Sequence, residues 1–215
     1  MKFFTAILAI TLLLLVKTAS VQAQGDIQAI NGVFIGGMSP YIVGYVVDST
    51  IGWAFSSSQD ITIDSLGWLF AGTNAPSIAV VSIGLWSTDG TLLRSTMIGS
   101  SSVSINGSLY ESISPLLVSA GSILVVAAGE STGQTFNVVA PPASLIEQPI
   151  NYVGWAYTSG NGFTFPIVQP YVDDPGEPAP GATFLFQTVP EPSEFALGAL
   201  GALLLGFRRW RNSLR

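Results

Sequence analysis

Apolar and polar residues alternate at every second position through much of residues 24–188, and this alternation limits the possible folds more than any other feature. It is clearest in Ile61–Ile63, Val81–Leu85 and Phe184–Gln187, which are rich in β-branched and aromatic side chains. A period of two places successive side chains on opposite faces of a sheet. No segment of this region combines helical apolar spacing with capping residues. We therefore expect an all-β body.

Short turn signals separate the candidate strands. Asp or Asn followed by Gly supplies the positive φ angles that tight hairpins need. Such pairs are Asp89-Gly90, between Val80–Trp86 and Thr91–Ile98; Asn106-Gly107, between Ser101–Ile105 and Ser108–Ile113; and Asn161-Gly162, between Asn151–Thr158 and Phe163–Val168. Turns about every ten to twelve residues are typical of antiparallel sandwiches. The sequence predicts an antiparallel β-sandwich or jelly-roll-like domain over residues 24–188.

Three finer features of the strands can be predicted. The apolar positions change parity between Ile63 and Leu66, which indicates a β-bulge near Asp64-Ser65. The pattern Gly-Trp-Ala-aromatic occurs in both Ile51–Ser56 and Val153–Thr158, as expected of two strands with similar packing that lie near each other in one sheet. The last strand is predicted at Ala182–Thr188, after an acidic, proline-rich loop.

The charge distribution excludes several classes of chemistry. Only 9% of residues are charged, and the chain has neither His nor Cys. This excludes a zinc finger, a Cys nucleophile, a Ser-His-Asp triad and a histidine-ligated metal. Residues 24–189 contain 11 acids and the single cation Arg94, a net charge of −10, which argues against nucleic acid as a partner. Without a catalytic constellation, we expect a non-enzymatic protein; a glycan-active hydrolase is the less favoured reading.

The N-terminal segment has the features of a secretory signal peptide. Met1-Lys2 is followed by an apolar run, Phe3–Val16, and then by small residues that end at Ala23. This order predicts export by the secretion machinery and cleavage between Ala23 and Gln24, so that residues 1–23 are removed. The alternative is an uncleaved N-terminal anchor, which a run of 14 apolar residues suits less well, because about 20 are needed to span a bilayer.

The C-terminal segment, residues 189–215, begins with Val189, Pro190, Glu191, Pro192 and Ser193. The prolines favour an extended chain, and Ser193 can cap a following helix. An uncharged stretch from Phe195 to Phe207 comes next, and it ends in Arg208, Arg209 and Arg211. We expect a transmembrane-type helix whose basic end stays in the cytoplasm, with the body on the other side of the membrane.

This ending resembles the PEP-CTERM sorting signal of proteins exported by Gram-negative bacteria that also make exopolysaccharide. The resemblance implies recognition of Pro190-Glu191-Pro192 by an exosortase, a membrane-embedded processing enzyme, and cleavage near that motif. It also implies an inner-membrane-anchored intermediate, then a place at the cell surface or in the extracellular biofilm matrix. Residues 43–128 resemble a β-sandwich module of unassigned function, through Leu66–Trp68, Val81–Leu93 and Pro115–Gly121.

The body contains two kinds of candidate ligand site, acidic residues and tryptophans. Asp173, Asp174 and Glu177 provide hard oxygen ligands of the type that Ca²⁺ takes, but a solvated acidic loop explains them better, and the same holds for Asp60 and Asp64. Solvent-exposed tryptophans could stack on sugars and make the body a carbohydrate-binding module for exopolysaccharide. Trp53, Trp68, Trp86 and Trp155 all lie on predicted strands, and of these Trp86 and Trp155 could stack on sugars only if they face solvent. Core packing is the favoured interpretation, because Trp is usually largely buried.

Overall fold

The computed structural model describes residues 26–30, 41–44, 49–69, 80–129, 137–140, 145–160, 162–168 and 181–189. The named elements among them are all β-strands, which belong to one compact unit, Gly25–Thr188. They are β1 (Ile27–Gln28), β2 (Tyr41–Gly44), β3 (Ser49–Ser57), β4 (Ile61–Leu69), β5 (Val81–Ser87), β6 (Leu92–Ile98), β7 (Val103–Ile105), β8 (Ser108–Val118), β9 (Ile123–Gly129), β10 (Asn137–Ala140), β11 (Ile150–Ser159), β12 (Ile167–Val168) and β13 (Ala182–Thr188).

The strands form two sheets and a separate two-stranded pair. Sheet I has the order β1-β13-β4-β8-β7, and sheet II has the order β12-β11-β3-β9-β5-β6. Strands β10 and β2 pair with each other. Neighbouring strands are antiparallel throughout the described part of the chain. The predicted all-β, antiparallel class is therefore confirmed.

One apolar core lies between the facing sides of the two sheets. Trp53 and Phe55 of β3 meet Phe184 of β13, with ring centroids 6.0 Å and 4.5 Å away from it. The indole Nε1 of Trp53 donates a hydrogen bond to Ala182 O at 2.6 Å, which satisfies the buried donor. The two sheets also meet where β6 of sheet II lies against β8 of sheet I. There, Arg94 Nε donates a hydrogen bond to Ser114 O at 2.9 Å. The sheets thus curl towards each other in a sandwich-like arrangement.

The structure confirms the predicted bulge and two of the three predicted turns. Asp64 is the extra residue relative to β13, because Ile63 and Ser65 hold the successive partners Phe186 and Leu185. The register with β8 shifts at the same place. The β5–β6 turn has Gly90 at φ 88°, and the β7–β8 turn has Asn106 at 45° and Gly107 at 80°. These positive angles are what the Asx-Gly pairs predict.

The third predicted turn is wrong in its length. Strands β11 and β12 do pair, but Tyr157 lies opposite Ile167 and Ala156 opposite Val168, so a loop of residues 160–166 connects them. The physical reason lies in Phe163 and Phe165, which pack over the outer face of sheet II. Asn161 itself lies outside the described residues.

The repeated pattern and the last strand are found as predicted. Strand β3 pairs with β11 so that Trp53 lies opposite Trp155 and Gly52 opposite Ala156. The two similar segments are therefore direct neighbours in sheet II. The last strand, β13, occupies Ala182–Thr188 and lies between β1 and β4 in sheet I.

Candidate functional site

Most of the predicted terminal and loop sites lie outside the described residues. These are the cleavage pair Ala23 and Gln24, the motif residues Pro190, Glu191, Pro192 and Ser193, the anchor from Phe195 to Arg211, and the acidic residues Asp173, Asp174 and Glu177. Val189 is described and is partly buried directly after β13. Within the described ranges, no helix has the length and apolar character needed to cross a membrane. The predictions at these positions remain predictions.

The first and last described residues of sheet I meet at one end of the sheet. Strand β1 runs antiparallel to β13, with Ile27 opposite Phe186, so Asp26 lies beside Gln187. The Gln187 amide Nε2 donates to Asp26 Oδ1 at 2.8 Å and to Asp64 Oδ2 at 3.3 Å. We call Asp26, Asp64 and Gln187 the terminal corner. It joins the start of the body, its last strand and the β4 bulge.

Asp64 in the terminal corner has a perturbed carboxyl group. Its pKa is raised above the usual Asp value, first by burial and then by the negative charge of Asp26. Ser65 Oγ donates to Asp64 Oδ1 at 3.1 Å, and this hydrogen bond lowers the Asp64 pKa without cancelling the rise. The sequence located Asp64 through the bulge, but its partner Asp26 depends on the β1–β13–β4 strand order, which carries no local signal.

Asp60, the other acidic candidate near this strand, fixes a turn. Its Oδ1 accepts a hydrogen bond from the backbone N–H of Ala120 at 2.8 Å, between β8 and β9. Among the described residues, no group of three or more His, Cys, Asp or Glu side chains is placed to hold a metal ion. Asp60 therefore has a structural partner of its own.

The four candidate tryptophans have different environments. Trp53 is fully buried, and Trp68 and Trp86 are each 3% exposed. Trp155 is only half-buried, although it shares the inner face of sheet II with Trp53. Core packing thus explains three of the four side chains, and Trp155 is the one that reaches the surface.

Trp155 and two neighbours form a partly exposed apolar surface, which we call the aromatic ledge: Trp155, Tyr157 and Ile167. The Trp155 and Tyr157 rings are nearly parallel, with 14° between their planes and centroids 6.2 Å apart. Ile167 lies opposite Tyr157 on β12 and is 62% exposed. The inner side of the rings packs on the core. Such a surface can stack against a flat or ring-shaped apolar ligand face.

Trp86 lies on the opposite face of sheet II beneath a covering segment, residues 162–168. The Phe163 ring is 5.1 Å from the Trp86 ring, and Phe165 packs against the same cluster. Thr50 Oγ1 donates to Gly162 O at 2.6 Å and accepts from Thr164 N at 3.0 Å. Gly84 is required beneath the indole, because a Cβ there would overlap the Trp86 ring. This burial removes Trp86 from the sugar-stacking candidates.

A partly buried polar cluster connects β1 to the β7–β8 hairpin. Gln28 Nε2 donates to Ile105 O at 3.0 Å and to Tyr110 Oη at 3.2 Å, and Asn106 Nδ2 donates to Gln28 Oε1 at 3.2 Å. Burial raises the pKa of the Tyr110 phenol, and its polar neighbours only partly offset this. The Asn-Gly pair, predicted only as a turn, therefore also holds the first strand.

Comparisons with known proteins do not assign this chain to a family or a fold group. No family model, no curated protein and no solved structure matches it. The functional argument therefore depends on the chain's own residues and geometry.

Proposed function

We propose that the protein is a non-enzymatic cell-surface or extracellular-matrix protein, exported with a signal peptide and sorted by a C-terminal PEP-CTERM-type signal. Its body is a β-sandwich of jelly-roll-like type. Its partners are the secretion machinery and an exosortase-type processing enzyme. The order of Pro190-Glu191-Pro192, the apolar stretch from Phe195 and the terminal arginines supports this assignment.

One structural observation carries the proposal. Strand β13 is an inner strand of sheet I and ends at Thr188, two residues before Pro190. A cut within or after the motif would therefore remove none of the strands of the body.

The apolar stretch suits a transient anchor. Its 13 residues would span about 20 Å as a helix, against about 30 Å for the hydrocarbon core of a bilayer. Such mismatch is tolerated at a modest free-energy cost through tilting, bilayer thinning or snorkelling arginines. We expect an inner-membrane intermediate that is converted by cleavage into an acidic product.

Intact-mass measurement of protein recovered from the surface or medium of the native host tests this assignment. The wild-type product should begin at Gln24 and lack the residues from Phe195 onwards. Replacing Pro190-Glu191-Pro192 by alanines should leave the C-terminal segment attached. The matched control replaces Pro178-Ala179-Pro180, a similar triplet ahead of β13, and should be processed normally. Processing of the first variant like the wild type, or a wild-type mass that includes Arg215, would overturn the proposal.

A second candidate function is binding of exopolysaccharide by the aromatic ledge. The near-parallel, partly exposed rings of Trp155 and Tyr157 favour it, because sugar rings present apolar C–H faces that stack on aromatic side chains. Calorimetric titration with oligosaccharides from the host's polysaccharide tests it. Trp155→Ala should abolish the heat of binding, and Trp86→Phe, which changes a covered ring, should retain it. The absence of any heat with the wild type at millimolar sugar would exclude this function.

A further inference from the structure

Strand β1 is attached to the body by few backbone contacts. It has two residues, and its register pairs are Ile27 with Phe186 and Gln28 with Leu185. Directly after it, Ala29 N donates to Phe184 O at 2.9 Å, Ala29 O accepts from Glu147 N at 3.0 Å, and Ile30 forms an isolated bridge with Ile146. Side chains therefore contribute a large share of its attachment, and Asp26 supplies one of them through Gln187. We propose that Asp26, Asp64 and Gln187 form an acid-strengthened clasp that holds β1 on β13.

The clasp has one donor group, the Gln187 amide with its two N–H bonds, between two carboxylates. The Gln187 amide reaches both carboxylates, at 2.8 Å and 3.3 Å. When both are ionised, their like charges repel, and only the amide bridges them. When one carboxyl takes up a proton from solvent, its O–H can donate to the other carboxylate, and the repulsion ends. The proton thus adds a hydrogen bond between the start of the body and the β4 bulge.

The groups that face Asp64 allow this exchange. Strand β13 and the β8 residues opposite the bulge, 112–116, carry no charged side chain. Arg94 approaches that part of β8 from sheet II and bonds to Ser114 O. Asp26 is the charged group that acts on Asp64, and with burial it raises the Asp64 pKa. The pKa of Asp64 is therefore higher in the folded protein than in the unfolded chain. The contact between β1 and β13 gains stability as the pH falls through the folded-state pKa, and it loses that stability as the pH rises again.

Hydrogen exchange of the full-length chain in mild detergent tests the clasp. Protection factors, corrected for intrinsic exchange, are compared at about pH 4, close to the ordinary Asp value, and at about pH 7.5. Peptides covering residues 26–30 and 182–188 should exchange roughly two- to tenfold more slowly at the lower pH, the factor that one ordinary hydrogen bond provides.

Two variants and a control separate the clasp from a general effect of pH. In Asp64→Asn the amide mimics the protonated acid, so protection of β1 should be high at both pH values. Asp26→Asn provides a second, independent replacement with the same expectation. Asp60→Asn keeps the acceptor for Ala120 N and should retain the wild-type pH response. Equal wild-type protection at both pH values, or loss of the response in Asp60→Asn, would show that no such clasp operates. This inference does not depend on the proposed sorting function.

Discussion

Two segments of sheet II have nearly the same sequence pattern and quite different surroundings. Ile51–Ser56 of β3 and Val153–Thr158 of β11 both contain Gly-Trp-Ala followed by an aromatic residue. They pair directly, with Trp53 opposite Trp155 on the same face. Yet Trp53 is fully buried, whereas Trp155 is half-buried. A shared pattern determines which face a side chain occupies, but not how deeply it is covered.

The position of each strand in the sheet explains the difference. Strand β3 lies between β11 and β9 and is paired along both sides. Above it, Phe184 stacks on Trp53 and Ala182 O accepts the indole N–H. Strand β11 is one strand nearer the edge of sheet II, and β12 pairs only with its residues Ala156 and Tyr157. Trp155 is therefore less completely enclosed than Trp53.

The largest expected effect separates the two tryptophans. Trp53→Ala should lower the free energy of unfolding by about 3–5 kcal/mol, because it removes a fully buried ring and leaves Ala182 O without its donor. Trp155→Ala should lower it by less, about 2–3 kcal/mol, because part of its ring is already exposed to solvent. Urea unfolding followed by circular dichroism measures both. Equal losses would show that the two environments are energetically alike.

An intermediate effect is expected at the next cross-strand pair, Gly52 and Ala156. Gly52→Ala should destabilise by about 1–3 kcal/mol, because its new Cβ would overlap Val126 O and the methyl group of Ala127 on β9. The matched change on β11, Ala156→Gly, removes a methyl group and should lower stability by about 0.5–1 kcal/mol. Thermal unfolding of both variants provides the comparison. A Gly52→Ala protein as stable as wild type would contradict the close approach of β3 and β9.

The smallest effect concerns the access of solvent to the two indole rings. Trp155→Phe should reduce the fraction of tryptophan fluorescence that acrylamide quenches, because this indole is partly exposed. Trp53→Phe should raise the quenchable fraction, since it removes an indole that is enclosed by the core and so does not contribute to the quenched part. Stern–Volmer plots of the two variants and the wild type measure this. A larger loss of quenching in Trp53→Phe would reverse the assignment of the exposed residue.

Several local features of the fold were predictable from the sequence. Asp89-Gly90 and Asn106-Gly107 specify their turns because positive φ is a property of the residues themselves. The parity change around Asp64 revealed the bulge for the same kind of reason, since alternation reports the face of each side chain. The Asn161-Gly162 interpretation failed because Phe163 and Phe165 pack over sheet II instead of extending the ladder.

The same distinction between local sequence signals and tertiary packing applies to the candidate sites. The sequence by itself determined the all-β class and the last strand, because periodicity and turn chemistry are local. It also predicts the terminal segments on which the proposed sorting depends. Only the tertiary structure decided that Trp155 reaches the surface while Trp86 is covered. It also brought Asp26 within 2.8 Å of Gln187, 161 positions away. Burial and such meetings depend on strand order, and strand order is the joint outcome of all the strands competing for one core.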